Sequence, residues 1–330
     1  MTTYKGIRGQ TIRTIAGDAS PLIVGDIWFN SASKKIKGAK LAAGAWASGG
    51  NLNTAREYAA GAGPMTAALC IAGSDAGGRD HDVESYDGSS WTEVGDTNTV
   101  RGGASTLGCG TQTAALVAGG KKSAGVPGVI DDTELYDGTS WTEVGDMNVV
   151  SADHAGANAG TNTATLAFGG GYPAPHVATN EEWNGTSWTE VNDLNTSRER
   201  LCGVGTSTAA LAIDGAISPG SPESHQATEQ WNGTAWTEVA DTSTVHYWGA
   251  AFGNSTAALI AGAYPAATHT DEWNGTAWAE AAAFSTSRVL HNAGTGGPGV
   301  SEGIIMGGAS MSAATEEWTK AVAAVSFTSS

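Results

Sequence analysis

A chain of 330 residues with 47 glycines and only 15% charged residues is built largely from small side chains. Its 33 acidic against 16 basic residues leave a formal charge of −17, which excludes nucleic acid or an anionic membrane as the main partner, since both need a positive footprint. A hydrophobic fraction of 40% with 12 tryptophans is enough for a folded core and too much for a disordered chain. Cys70, Cys109 and Cys202 are odd in number and widely spaced, so neither a disulfide framework nor a Cys-x-x-Cys metal pair is expected. No run approaches 18 apolar residues, and no apolar stretch follows the basic N-terminal residues; neither a membrane insertion nor conventional secretion is expected.

Residues 1–38 stand before any repeat. They contain Gly25-Asp26-Ile27-Trp28-Phe29-Asn30-Ser31 followed by Lys34-Lys35-Ile36-Lys37, which reads as a short β-hairpin. Ile23, Ile27, Trp28 and Phe29 make an apolar cluster that needs a cover. Trp28 and Phe29 are therefore the expected docking residues.

Residues 39–319 repeat. Trp91, Trp141, Trp188, Trp236 and Trp278 are spaced by 50, 47, 48 and 42 residues, and Trp46 lies 45 before the first. A second aromatic stands five residues ahead of the last five: Tyr86, Tyr136, Trp183, Trp231 and Trp273, with Trp318 as the sixth member. A third column, Gly-x-x-Thr-Ala-x-Leu ending in Gly or Gly-Gly, runs from Thr66 to the degenerate copy at Ser301–Gly308. Such a period decides the fold. Each unit reads as four short strands: a Gly/Ala-rich run, the apolar Thr-Ala-x-Leu run, an acidic-aromatic run and Trp-Thr-Glu-Val. Asp-Gly or Asn-Gly joins the last two, supplying the positive φ of a tight turn. The expected fold is all-β, a six-bladed β-propeller with small first strands lining the axis and the aromatic columns between blades. The first copy holds only strand four, around residues 39–48, and the last ends after strand three, so the two termini should share blade six and remove the open edge. Residues 320–330 are left as a tail.

The order Asn-Thr-x-Arg, Gly-rich strand, Gly-Gly, Glu-x-Tyr or Glu-x-Trp, then Trp five residues on, resembles kelch-type propeller repeats. The near-identical wording, as in Thr133-Glu134-Leu135-Tyr136-Asp137-Gly138-Thr139-Ser140-Trp141, also resembles kelch-like virion proteins of tailed phages, and the hairpin is similar to one common near the start of phage tail and fibre proteins. The resemblance implies a non-enzymatic structural protein of the virion, in the tail or a tail fibre, assembled in the host cytoplasm and present in several copies in a symmetric assembly. Its partners would be other virion proteins and a host-surface glycan or receptor. A decoration or adaptor binding only virion proteins is the alternative, and a galactose-oxidase-like or glycan-active enzyme the third.

For an oxidase, metal ligands would have to converge, yet His154, His246, Tyr247, His291, Cys109 and Cys202 are scattered over blades and offsets. Glu93, Glu143, Glu190, Glu238 and Glu280 recur once per blade, which argues for structure. No catalytic residue, metal or cofactor is expected. Strand parity puts turns one-to-two and three-to-four on one rim and the variable loops two-to-three and four-to-one on the other. Tyr172, His176, His225, Tyr264 and His269 fall in those variable loops, either as contacts for a glycan or partner or as loop packing. Arg56, Arg101, Arg198 and Arg288 open first strands on the same rim; they either pair with the column Asp96, Asp146, Asp193 and Asp241 or form an anion site at the channel mouth.

Overall fold

The computed structural model describes residues 12–102, 107–122, 128–171, 176–217, 226–264, 267–290, 293–297 and 299–327. They hold seven four-stranded sheets, one more than the repeat predicts. Two compact units divide them: Ala45–Thr319 carries six sheets, and Met1–Gly44 with Lys320–Ser330 carries the seventh.

In the larger unit each sheet runs strand one to four in antiparallel order, as in Cys202–Thr206, Ala209–Ile213, Thr228–Trp231 and Trp236–Glu238. The sixth sheet takes Gly294–Gly296, Glu302–Met306 and Thr315–Thr319 from the C-terminal side and Ala45–Ser48 from the N-terminal side, with Trp318 opposite Trp46. Residues 39–41 are not part of that strand; they end Lys35–Leu41 of the other unit. First strands lie side by side in succession, and the first strand of the sixth sheet lies against that of the first, Ala60–Ala62. Small residues are required there, because a Cβ at Gly108 would stand 2.7 Å from the Gly61 carbonyl oxygen. The axis between them keeps a void of about 20 Å³, room for roughly one water.

The aromatic columns fill the wedges between sheets. Trp183 and Trp188 pack on Leu107, Leu116 and Ala118 of the preceding sheet, and Trp273 and Trp278 on Val204, Leu211 and Ile213. Tyr86 and Trp91 of the first sheet pack on Ile304 and Met306 of the sixth. Indole N–H groups reach back as well: Trp188 Nε1 donates to Thr133 Oγ1 at 2.9 Å and Trp278 Nε1 to Thr228 Oγ1 at 3.2 Å. The Asp-Gly and Asn-Gly turns follow the chemistry expected of them. Asp137 Oδ1 accepts from the Thr139 and Ser140 N–H groups at 2.8 Å, while Gly138 sits at φ 94°.

The seventh sheet corrects the reading of both termini. Arg13–Ile15 pairs in parallel with Ile27–Asn30, which pairs with Lys35–Leu41, and Val322–Ser326 completes the sheet. The tail is therefore a strand. Trp28, expected as a docking residue, is buried at 2% exposure; alternation puts it on the opposite face from Ile27 and Phe29. The apolar face left in solvent is Ile27 with Phe29, Ile36 across from Phe29, and Phe327 following Val325.

Candidate functional site

The four arginines are structural. Arg56, Arg101, Arg198 and Arg288 are buried at 0–3% exposure, and each donates to the strand-three glutamate of its own sheet: Glu84, Glu134, Glu229 and Glu316, at 2.6–2.9 Å. The expected pairing with the aspartate column is not what forms, and no anion site results from these side chains. The Asn-Thr-x-Arg wording explains the geometry. Asn98 donates N–H and Nδ2 to Glu134 Oε2 at 2.6 and 2.9 Å, Thr99 N–H donates to Oε1 at 3.0 Å, and Arg101 caps the other side while also donating to the Gly119 and Asp132 carbonyls. A buried carboxylate is tolerated because it is saturated with donors.

Two sheets depart from the pattern. In the fifth, His246 replaces arginine and turns to Asp214, at 3.2 Å from Nδ1, with its own N–H donating at 2.7 Å. In the third, Ser151 replaces it, and Glu181 accepts from the Asn148 N–H at 3.0 and 3.2 Å and from the Asn148 side chain and the Val149 N–H, with no arginine beside it. Burial pushes the Glu181 carboxyl above its ordinary pKa. A raised folded-state value stabilises the protein below the ordinary glutamate pKa and is lost as pH rises through the folded value. Glu181→Gln should therefore raise the melting temperature at pH 7 and lose that gain near pH 4, as thermal melts at the two pH values would show.

Of the loop residues, Tyr172 and His225 lie outside the described residues, as does His291. Tyr264 is 48% exposed and His269 is also exposed. Together with Gln226, Ser243, Thr244 and Ala267 they line a cleft of about 510 Å³ between the fourth and fifth sheets. His176 stands apart from that cleft, with Nδ1 3.6 Å from Glu199 Oε2 and its side chain 6% exposed. On the opposite rim, the hollow of about 380 Å³ is walled by turn residues such as Gly63, Gly110, Ala159 and Gly160.

A further column, which no repeated wording marks, lies two residues past the arginine position. Tyr58, Asp153, Arg200 and Trp248 occupy it in the first, third, fourth and fifth sheets, each in the left-handed region at φ 58–60°. They stand two residues before the first strands, at the loop end of the axis. Backbone bonds link them in turn: Arg200 N–H donates to Asp153 O at 2.8 Å, and Trp248 N–H to Arg200 O at 2.9 Å. The Arg200 guanidinium lies 4.4 Å from the Trp248 ring centre, with Nη2 3.1 Å from Glu199 Oε1 and Nε 3.9 Å from Asp153 Oδ2. Tyr247 and Tyr264 extend the aromatic surface from Trp248 to the cleft, at 5.4 and 5.9 Å between centroids. The signal in the sequence was contrast: amid near-identical copies, this column changes chemistry in every one.

Cys109 and Cys202 are buried, and burial pushes the Cys109 thiol up to about 12, so it is inert as a thiolate. Buried His154 is held down at about 4 by desolvation and stays neutral. Among the described residues, ligand-type groups come together at Asp80, His81 and Asp82, at Asp82, Glu93 and Asp96, and at Asp132, Glu143 and Asp146.

No protein-family model matches the chain, and no curated protein matches it. Among solved structures, it is similar to that of YjhT, with a TM-score of 0.63 over 83% of this chain and 99% of that one, at 14% identity. At that identity the likeness speaks for architecture alone, and with the repeated four-stranded sheets it makes this chain a β-propeller.

Proposed function

We propose that Ala45–Thr319 closes as a six-bladed, kelch-like ring, and that the chain is a non-enzymatic structural protein of a phage virion, in the tail or a tail fibre. Closure is supported by first strands that succeed one another back to the starting sheet and by the Trp46–Trp318 pairing. The virion reading is supported by the repeated wording and the N-terminal hairpin. Recognition of a host-surface glycan or protein is carried by one observation: the variable loops, on a rim of otherwise repeated structure, hold a cleft of about 510 Å³ flanked by exposed Tyr264 and His269. A pocket of that size with Tyr264 as an aromatic wall and Gln226, Ser243, Thr244 and His269 as polar groups suits a small polar ligand.

Docking falls to the smaller unit. Residues 1–44 and 320–330 carry eight basic and two acidic residues, a formal +6, whereas residues 45–319 carry eight and 31, a formal −23. A basic sheet with Ile27, Phe29, Ile36 and Phe327 on its open face suits another virion protein. The adaptor reading is favoured by that same face, with the cleft then idle.

Mass spectrometry of purified particles should find the chain. Tyr264→Ala should weaken host-surface binding by roughly 2 kcal/mol, about 30-fold, with an unchanged melt. A chain absent from particles would remove the virion reading, undiminished binding by the variant would remove the cleft as the recognition site, and no host-surface binding by the unaltered chain would leave the adaptor.

A further inference from the structure

We infer that the cleft of the fifth sheet takes a guanidinium group, the arginine side chain of a partner protein, in the place that an arginine of this chain fills in four of the other sheets. The inference rests on the reading of that cleft as the recognition site and names what it recognises.

The first part of the argument is a frame of acceptors. In the second sheet the Arg101 guanidinium joins the Glu134 carboxylate to the carbonyls of Gly119 and Asp132, each at 2.8 Å. The fourth sheet repeats this with Arg198, Glu229 and the carbonyls of Asp214 and Ala227. The carbonyl-bearing residues are themselves tied, Gly119 N–H donating to Asp132 O and Asp214 N–H to Ala227 O, both at 3.1 Å. The fifth sheet keeps this frame. Gly262 N–H donates to His269 O at 2.9 Å, and Asp271 stands two residues past His269, as Glu134 does past Asp132 and Glu229 past Ala227. One carboxylate and two carbonyls are thus in register for a cation, and the chain does not supply it, because His246, at the arginine position, is turned to Asp214.

The second part is the state of that carboxylate. Asp271 is 1% exposed. Its Oδ2 accepts from the Ser243 and Thr244 N–H groups at 2.9 and 3.3 Å, and the Ser243 hydroxyl lies 2.6 Å from Oδ1 and 2.8 Å from Oδ2, so Oδ1 has only a share of one neutral donor. All eight lysines and arginines of residues 45–319 lie among the described residues, and none of them forms an ion pair with Asp271. A buried carboxylate without a counterion is costly, and a cation entering from outside removes that cost.

The third part is space, and it is independent of the other two. The cleft of about 510 Å³ is lined by Ser243 and Thr244, which hold Asp271, and by His269 and Ala263, the one bearing an acceptor carbonyl and the other following the Gly262 carbonyl. Asp271 is also one methylene shorter than the glutamates of the other sheets, which deepens the space. A floor of carboxylate and carbonyls only accepts, and a guanidinium offers five donors and no acceptor, whereas a sugar hydroxyl or an anion brings lone pairs with nothing there to meet them. Exposed Tyr264, its ring 5.4 Å from that of Tyr247, adds an aromatic surface of the kind on which a planar guanidinium stacks better than an ammonium. The formal −23 of residues 45–319 draws a cation toward this unit.

Calorimetric titration of the full chain with N-acetyl-L-arginine amide tests the site, beside the matching citrulline amide, which keeps the shape without the charge, and D-glucose. The arginine amide should bind saturably with a Kd of millimolar order, and the citrulline amide at least about tenfold more weakly. Tyr264→Ala should weaken the arginine amide several-fold without moving the melt, and His246→Arg, which brings a guanidinium to the frame from within, should abolish its binding. The inference is overturned if the arginine amide gives no saturable heat, if the citrulline amide binds as tightly, or if His246→Arg binds as the unaltered chain does. Should His246→Arg fail to fold, the citrulline comparison and Tyr264→Ala decide. Saturable D-glucose binding that Tyr264→Ala removes, with none of the arginine amide, would overturn the inference and keep the cleft as the recognition site; host-surface binding undiminished by Tyr264→Ala would remove both.

Discussion

Arg101→Ala lowers the stability of the propeller unit by about 3–5 kcal/mol, seen as a fall of ~10 °C in the thermal midpoint. The guanidinium is fully buried, lies 2.8 Å from Glu134 Oε1, and donates to the Gly119 and Asp132 carbonyls at 2.8 Å each. Removing it takes the counterion from a buried carboxylate that keeps only its Asn98 and Thr99 donors, and the donor from two carbonyl oxygens. Removing both charges is different in kind, because desolvation offsets most of what an ion pair contributes. The double variant Arg101→Met, Glu134→Gln should therefore recover more than half of the loss. Equal midpoints for the single and double variants would mean that the arginine acts by packing alone. The third sheet already shows the milder condition, with Ser151 and an arginine-free Glu181.

Trp318→Ala should cost about 3–5 kcal/mol, by lost burial and the cavity left behind. Trp318 is fully buried, its Nε1 donates to Val300 O at 3.0 Å, and its ring lies 5.3 Å from that of Trp46 on the strand supplied by the other end of the chain. The loss acts where the N-terminal strand is held, so chemical denaturation should report a lower midpoint, and limited proteolysis should cut earlier near residues 42–50. The exposed Tyr264, truncated in the same way, should leave the midpoint within about 0.5 kcal/mol. A wild-type midpoint for Trp318→Ala would show that the terminal pairing does not hold the ring.

The sequence by itself determined whatever repeats. Trp and Tyr columns five residues apart, Thr-Ala-x-Leu runs and Asp-Gly or Asn-Gly turns each state one local preference five times over, and agreement among copies is strong evidence for a four-stranded unit. It also predicted the pairing of the two termini, since an incomplete first copy and an incomplete last one make up one sheet. Only the tertiary structure decided what depends on partners far along the chain. Arg101 meets Glu134, 33 residues on, rather than the aspartate nearer its own loop, because strand three passes beneath the guanidinium whereas the aspartate column stands in solvent. Trp28 is buried while Phe29 faces out, a matter of one residue in strand phase, and Val322–Ser326 became a strand because Lys35–Leu41 offered it an edge. The mouth column was hidden for the opposite reason. Tyr58, Asp153, Arg200 and Trp248 share no chemistry that a pattern could find, and only the packing of successive sheets brings Asp153, Arg200 and Trp248 from three copies against one another.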